Sequence, residues 1–455
     1  MAAAEVDAVV VGAGIAGLAA ALELQTAGHE VFVIDPSDRP GGVMRTDHVN
    51  GYVVERGPNT TQVKAPMRAF LSARGFEEQL QAAQPSSRLR FIYREGGLER
   101  VPMSPLALAR TPLLSTRAKL RLLAEPFVRR HRGDEESVAE FVGRRLGREV
   151  VTQLLAPFLT GVYAGDEQQL GARAVFPALV ELEDRFGSVA LGGLLLALAV
   201  RRPKGLPGSW SAQAGLGPFA RRLADQLAEP PALGSRVLAV SRDGARMRVE
   251  VTSASGDLAL SARRVVVACQ APDAAGILRG LDGDAARALE GILYAPIAAV
   301  PLGVAPEDVA TPIEGFGFLV PQEAKLSLLG CLFMSELFPG RAPEGRQLLQ
   351  CMLGGVRWPE AAHLPDDALS ERAMADLDQT LGLRGPPEPL GIVRWARAVP
   401  QPGRDHLARI AFVQGRISEQ ASGVALAGAY VAGVSVADAL ASGVAAARRV
   451  AAVRA

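Results

Sequence analysis

An α/β fold built around a parallel sheet is what this 455-residue sequence predicts, and three observations carry the expectation. An apolar strand from Asp7 to Val11 runs through Gly12-Ala13-Gly14-Ile15-Ala16-Gly17 into a helical pattern that stops at Gly28. A second apolar strand, Val31-Phe32-Val33-Ile34, ends at Asp35. Strand and helix patterns then interleave along the whole chain, with no internal repeat or low-complexity tract. Composition excludes other classes: 49% apolar and 21% charged residues are those of a globular chain of about two or three domains, not a disordered one. A formal net charge of +1 speaks against nucleic acid as the main partner. Cys269, Cys331 and Cys351 lie far apart without a CxxC pair, so neither a disulfide framework nor a metal site is expected, and a reducing compartment is. Glu5 and Asp7 stand where a signal peptide carries positive charge, and the apolar stretch Val189 to Val200 is shorter than the roughly 20 residues a bilayer span needs. The expectation is a cytoplasmic protein.

Each part of the opening unit has a task in holding a dinucleotide. Gly12 permits the tight turn, Gly14 lets the backbone approach a pyrophosphate, and Gly17 lets the helix pack on the strand. With Ala13, Ile15 and Ala16 between them, the helix start offers unpaired N–H groups and a positive dipole to the phosphates. Asp35, at the end of the second strand, is placed to accept hydrogen bonds from a ribose diol. The unit is therefore of Rossmann type. The segment that begins at this acid, Asp35-Pro36-Ser37-Asp38-Arg39-Pro40-Gly41-Gly42, resembles the extended fingerprint of glutathione-reductase-type FAD enzymes of the amine oxidase superfamily. That resemblance implies FAD rather than NAD and sets Arg39, Gly41 and Gly42 on the flavin side of it.

Further along, Val265 to Ala268 is a buried strand reached after a hairpin-like stretch at 236–251, and it continues into Cys269-Gln270-Ala271-Pro272, where a strand leaving the sheet turns towards a ligand. Near the end come a strand at 423–427, a turn at 428–433 and an Ala-rich helix at 436–450. The dinucleotide domain is thus expected to be discontinuous, from 1–84, 211–291 and 405–455. Residues 85–210 read as mainly helical, and 292–404 as a mixed-sheet domain covering a pocket. Within the helical part, 116–130 is amphipathic: Leu120, Leu122, Leu123, Pro126 and Phe127 alternate with Arg117, Lys119, Arg121, Arg129 and Arg130, and Glu125 is the lone acid. Such a segment suits an anionic membrane surface, or a solvated face over a core.

Short motifs are strung along the chain in this order: Glu55-Arg56-Gly57-Pro58-Asn59; Arg90-Phe91-Ile92-Tyr93 with Val101-Pro102; Gly161-Val162-Tyr163-Ala164-Gly165-Asp166 with Phe176-Pro177; Gly315-Phe316-Gly317-Phe318-Leu319-Val320-Pro321; Leu329-Gly330; Phe338-Pro339; Met352-Leu353-Gly354-Gly355; and the closing stretch from Leu426 to Val436. Together with the glycine turn, and over nearly the whole chain, they resemble the oxygen-dependent protoporphyrinogen oxidases of haem and chlorophyll biosynthesis. The resemblance implies a Rossmann-type FAD-binding domain, a mixed-sheet substrate domain and a helical membrane-binding domain. It assigns Gly57, Pro58, Asn59, Thr60, Val237, Ala429, Val434, Ser435 and Val436 to the cofactor, with Arg90 gripping a substrate propionate and Gly161, Phe316, Leu319, Leu329 and Met352 around the tetrapyrrole. Ala437-Asp438-Ala439 stands where the family often carries Cys, and FAD is expected to be held without a covalent tether.

The reaction implied is the six-electron oxidation of protoporphyrinogen IX to protoporphyrin IX, in three two-electron steps, with O2 reduced to H2O2. Peripheral attachment to the inner face of the cell membrane, room for a homodimer and binding of diphenyl-ether inhibitors are implied as well. No residue is assigned as catalytic acid or base, because His29, His48, His131, His363 and His406 all fall outside the motifs. The competing reading on the same fold is a coproporphyrinogen III oxidase, whose four-propionate substrate favours a more open and more basic pocket. A carotenoid desaturase or amine oxidase lacks the 161–166 signature. A flavin-free GDP-dissociation inhibitor predicts a damaged phosphate loop, whereas Gly12, Gly14, Gly17 and Asp35 are intact.

Overall fold

In the computed structural model the described residues are 4–199 and 205–453; Val200, at the end of the long apolar run, lies outside them. The β-branched strand Ala4–Val11 pairs in parallel with Val31–Ile34 on one side and with the long strand Gly256–Val267 on the other. The latter also pairs in parallel with Val424–Leu426, and the antiparallel hairpin Arg236–Asp243/Arg246–Ser253 extends the sheet to six strands. Alternation along the strands sends side chains to two cores, as a sheet buried on both faces requires. Ala8, Val10, Val33 and Val266 meet the first helix, Ile15–Thr26, and the last, Val436–Ala451. Val9, Val11, Ile34, Val265 and Val267 meet the helices Ala271–Leu278, Gly283–Glu290 and His406–Gln420. The first and last helices touch backbone to backbone, since a Cβ on Gly443 would fall 2.0 Å from the Ala16 carbonyl oxygen. The closing turn differs from the sequence reading in holding a one-turn helix, Ala429–Ala432, between Gly428 and Gly433, whose φ values of 127° and 133° favour glycine.

The second sheet has eight strands and is mixed. In spatial order they are Glu388–Pro389, Tyr294–Val304, Gln347–Gly354, Leu328–Phe333, Gly317–Leu319, Phe91–Arg94 and Gly97–Arg100, with Val393–Pro400 also paired to Tyr294–Val304. Only the Gly317–Leu319/Phe91–Arg94 contact among these is parallel. One face is covered by the helix Asp366–Leu381, whose Leu369, Ala373, Leu377 and Leu381 recur every fourth residue and pack on Phe318, Cys331, Cys351 and Leu353. The stretch 85–210, read as mainly helical, thus also contributes the hairpin 91–100 to this sheet, because Ile92 and Tyr93 have sheet neighbours to bury against. Two small sheets, 46–49 with 52–55 and 61–63 with 206–212 and 80–82, lie between.

The remaining helices pack on one another around Val138, Phe141, Val142 and Leu159. The amphipathic segment is shorter than its pattern: the helix runs Thr116–Leu123, and Glu125-Pro126-Phe127 is a single 3₁₀ turn. Glu125 is not on a solvated face but fully buried. Its carboxylate takes the Arg145 guanidinium at 3.0 Å, the Ser188 hydroxyl, and the N–H groups of Val189 and Ala190 at 2.9 and 3.1 Å, capping the helix Val189–Ala199. Arg145, equally buried, also reaches Glu183. Leu120, Leu123 and Phe127 remain 63%, 75% and 87% exposed, and Leu191, Leu194 and Leu195 are exposed too. Among the described residues no helix is long and apolar enough to cross a membrane.

Candidate cofactor and substrate site

Two glycine turns are laid back to back at the carboxyl end of the six-stranded sheet. Gly12, at φ 105°, donates to the Ile34 carbonyl at 2.7 Å, and a Cβ there would stand 3.0 Å from the Ala268 oxygen. Gly17 meets the turn itself: its Cβ would fall 1.8 Å from the Gly12 oxygen. Ala13 is buried between Asp35 and Gly41, its N–H donating to Asp35 Oδ2 at 2.6 Å and its carbonyl accepting the Gly41 N–H at 2.8 Å. The other Asp35 oxygen accepts the Ser37 N–H at 2.8 Å, so this buried carboxylate holds the loop as well as facing the site. Each oxygen keeps a further lone pair for a ligand hydroxyl.

Gly14 caps the first helix without any side-chain hydrogen bond, and Ile15 and Ala16 begin it. A Cβ on Gly14 would meet nothing within 4 Å, so the helix start opens into free space. Gly41 and Gly42, at φ 106° and 58°, close over it, and a Cβ on Gly42 would lie 3.2 Å from the Gly14 Cα. Arg39 shapes this second turn by donating to the Met44 and Gly42 carbonyls at 3.1 and 3.0 Å.

The segment from Glu55 to Thr60 threads between the two sheets. Gly57 rests on the second turn, its Cβ position only 1.9 Å from the Val43 oxygen. Pro58, Asn59 and Thr60 are half-buried, and Asn59 Oδ1 is buried with no hydrogen-bond partner among the described residues. Glu55 is buried against Arg341 at 3.0 Å and accepts from Thr46 and the Leu216 N–H; burial nonetheless pushes its carboxyl above the ordinary range. Gln350 of the second sheet donates to the Glu55 carbonyl at 3.2 Å, Trp395 to the Arg56 carbonyl at 2.6 Å, and Arg56 to the Leu390 and Gly391 carbonyls. Arg341, Gln350 and Trp395 escape sequence reasoning, since their partners lie hundreds of residues away.

At the closing segment, Ala429 opens the one-turn helix and half-buried Val434 and Ser435 precede buried Val436. Ser435 caps the last helix, accepting the Asp438 N–H at 3.1 Å and donating to Asp438 Oδ2 at 2.6 Å, while Lys64 pairs with the same carboxylate at 2.6 Å. Tyr163, at the end of the helix Ala156–Tyr163, is pushed up to about 12 by burial and by the Asp438 charge, which ties this helix to the closing segment. Val237 stands apart. Its side chain packs into the core with Val9 and Ile34, which leaves only its backbone for a ligand.

The substrate candidates converge on neighbouring strands of the second sheet. Leu319, Gly330 and Met352 are register partners across three of them, on the face opposite the helix Asp366–Leu381. Leu329 and Met352 pack with Ala164 and Val356. Gly161 comes down on this wall, its Cβ position 2.4 Å from Leu319 Cδ2. Phe316 immediately precedes the strand, and the Arg90 guanidinium stacks 4.1 Å from the centre of its ring. The Arg90 side chain forms no ion pair or hydrogen bond with any described residue, and burial pulls its pKa below the usual guanidinium value. An apolar wall ending in a desolvated, unpaired cation suits a flat apolar molecule carrying a carboxylate.

Uncapped N–H groups opening into free space, two apposed glycine turns and the unpartnered Asn59 oxygen fit a dinucleotide with a polar ring system, as FAD has. The comparisons agree. The family model for flavin containing amine oxidoreductase matches residues 15–451. A chloroplastic protoporphyrinogen oxidase of Nicotiana tabacum is 32% identical over 94% of this chain and 82% of its own. Coproporphyrinogen III oxidase of Bacillus subtilis is 27% identical over 92% of this chain and 93% of its own. The crystal structure of a candidate protoporphyrinogen oxidase from Exiguobacterium sp. 255-15 superposes with a TM-score of 0.82 at 26% identity, covering 99% of both chains. With a family match over almost its full length and relatives nearly a third identical, the chain belongs to the flavin-containing amine oxidoreductases, and within them to the FAD-dependent protoporphyrinogen oxidases.

Proposed function

We propose that the chain oxidises protoporphyrinogen IX to protoporphyrin IX at the wall formed by Phe316, Leu319, Leu329 and Met352, with O2 as final acceptor and H2O2 as by-product. The observation that carries this reading is Arg90: a half-buried charge with no acidic or hydrogen-bonding side-chain partner among the described residues is unfavourable on its own, and a propionate offsets it. When bound, FAD supplies the two-electron acceptor, and the protein's part is binding, orientation and exclusion of water. Gly12, Ala13, Gly14, Ile15, Ala16, Gly17 and Asp35 hold the dinucleotide without a covalent bond, Arg39, Gly41 and Gly42 fix the second turn, and Gly57, Pro58, Asn59 and Thr60 run past the ring system. Val237, Ala429, Val434, Ser435 and Val436 complete the cofactor site. Gly161 keeps the wall flat, since any side chain there would displace Leu319.

Exposed Leu120, Leu123 and Phe127, beside Arg117 and Lys119, support peripheral attachment to an anionic membrane face, which would deliver an apolar substrate without crossing water. The same wall would take a diphenyl ether, whose two rings mimic half of the tetrapyrrole. The test is growth of porphyrin fluorescence in air, with purified flavoprotein offered protoporphyrinogen IX and coproporphyrinogen III in parallel. Oxidation of the first is expected, and oxidation of neither would overturn the reading.

A further inference from the structure

We propose that Arg357 is a second carboxylate anchor, at the end of the wall opposite Arg90, which matches the site to a porphyrinogen bearing carboxylates on both edges as well as to one bearing them on a single edge. The inference rests on the porphyrinogen reading above and names which members of that class the wall accommodates. After the strand Gln347–Gly354, Gly354 and Gly355 turn the chain at φ 101° and 70°. Gly355 lies against the end of the 161–166 signature: its Cβ would approach the Ala164 oxygen to 2.7 Å, and the Val356 N–H donates to that oxygen at 2.9 Å. The Val356 side chain joins Leu329 and Met352, so the next residue, Arg357, arrives at the rim of the same wall.

There its Nη1 donates to the Val320 carbonyl at 3.2 Å. A guanidinium has five N–H donors, and this is the only hydrogen bond of the Arg357 side chain among the described residues. Among the described residues no carboxylate stands within ion-pair distance: Asp166, Glu167 and Glu323 act only at longer range, and Asp166 already accepts from the Gln168 N–H and the Gln169 amide. Burial is the main influence on the group and lowers its pKa, the condition found at Arg90. The two cations mark the two ends of one strand. Arg90 stacks on Phe316 and Arg357 holds Val320, four residues on, which is about 13 Å along an extended chain, and Leu319 lies between. A tetrapyrrole with propionates on two neighbouring pyrroles can satisfy one of them. One with a propionate on every pyrrole satisfies both.

The experiment compares wild type with Arg357→Met and Arg357→Lys, measuring KM and kcat for protoporphyrinogen IX and coproporphyrinogen III, and binding of coproporphyrin III by its fluorescence. The expected result is a fall in kcat/KM for the four-carboxylate substrate about tenfold greater than for the two-carboxylate one, carried by KM, with weaker coproporphyrin binding and partial recovery in Arg357→Lys. Flavin content and spectrum check that each variant folds, and the lysine variant keeps the comparison alive if the methionine variant does not. An unchanged ratio and unchanged binding would overturn the assignment of Arg357, as would a wild type that oxidises protoporphyrinogen but neither binds nor oxidises the four-carboxylate substrate. A wild type that oxidises neither substrate would bring down the proposed function itself, a distinct result.

Discussion

Replacing Gly14 by Ala separates what the glycine turn does for the protein from what it does for its ligand. The backbone there has φ −71° and ψ 175°, which alanine adopts freely, and a methyl group would meet no protein atom within 4 Å. The empty protein should therefore lose nothing and gain about 0.4–1 kcal/mol, because the unfolded chain becomes stiffer. With FAD the methyl group enters the space the pyrophosphate needs, and crowding of one methyl in a fitted site costs about 1–3 kcal/mol. That is a loss of roughly 5- to 150-fold in affinity. Thermal unfolding of flavin-stripped protein and titration of flavin by fluorescence quenching read the two quantities independently. Equal flavin affinity in Gly14→Ala and wild type would refute the placement of the phosphates at this turn. Gly17→Ala is the contrasting control, since its methyl would collide with the Gly12 oxygen at 1.8 Å whether or not ligand is bound.

Arg90→Met should raise KM for protoporphyrinogen about tenfold with little change in kcat, because a propionate contact made equally in ground and transition states leaves kcat alone; steady-state kinetics decide, and an unchanged KM removes Arg90 from the site. Arg145→Met leaves Glu125 charged and buried without its guanidinium and Glu183 with Arg144 alone, and should lower unfolding stability by about 3–5 kcal/mol in denaturant titration. Burial raises the Glu125 and Glu183 carboxyls, but the Ser188 hydroxyl and helix N–H groups at Glu125, and Arg144 and Arg145 at Glu183, outweigh it and hold both below the ordinary range. Their folded-state values thus lie below the unfolded one of about 4.3, so the stabilisation is present above that pH and is lost as pH falls through the folded values. Glu183→Gln should accordingly flatten the acid limb of the Tm profile, and an unaltered slope would contradict this. Leu123→Ser with Phe127→Ser should release the protein from anionic vesicles in a flotation assay while detergent-assayed turnover stays the same, since both side chains are largely exposed.

Much of the cofactor side is legible in the sequence because its logic is local. Gly12, Gly14, Gly17 and Asp35 sit in one strand–turn–helix–strand run whose spacing carries the geometry. Hidden even there is the hydrogen bond from Ala13 to Asp35, which makes the acid part of the loop it serves. The substrate side is less legible from pattern alone, because its contacts are long-range: Gly161 meets Leu319, and Arg90 meets Phe316, across separations no periodicity spans. Motif resemblance supplies those residues, but not Arg357, Gln350 or Trp395. Glu125 shows the limit of charge patterning. An acid among basic and apolar residues reads as a solvated face, whereas it is buried because a guanidinium and a helix N-terminus from two other segments meet it. The hairpin 91–100 lies in a stretch whose Arg and Leu content suggests helix, and only its partner strand Gly317–Leu319 settles it as sheet.

The contact of Gly443 with Ala16 has a bearing on how the enzyme is made. The helix Ile15–Thr26 is synthesised long before the helix Val436–Ala451 that packs on it, with most of both sheets between them in the chain. Until the later helix arrives, the Ala16 side of the first helix lacks the partner it packs against. The glycine turn at Gly12–Gly17 is therefore braced from behind only after the later helix has been made. A chain truncated upstream of Val436 lacks that brace, and partial proteolysis is expected to cut it within Ile15–Thr26 faster than the full-length protein.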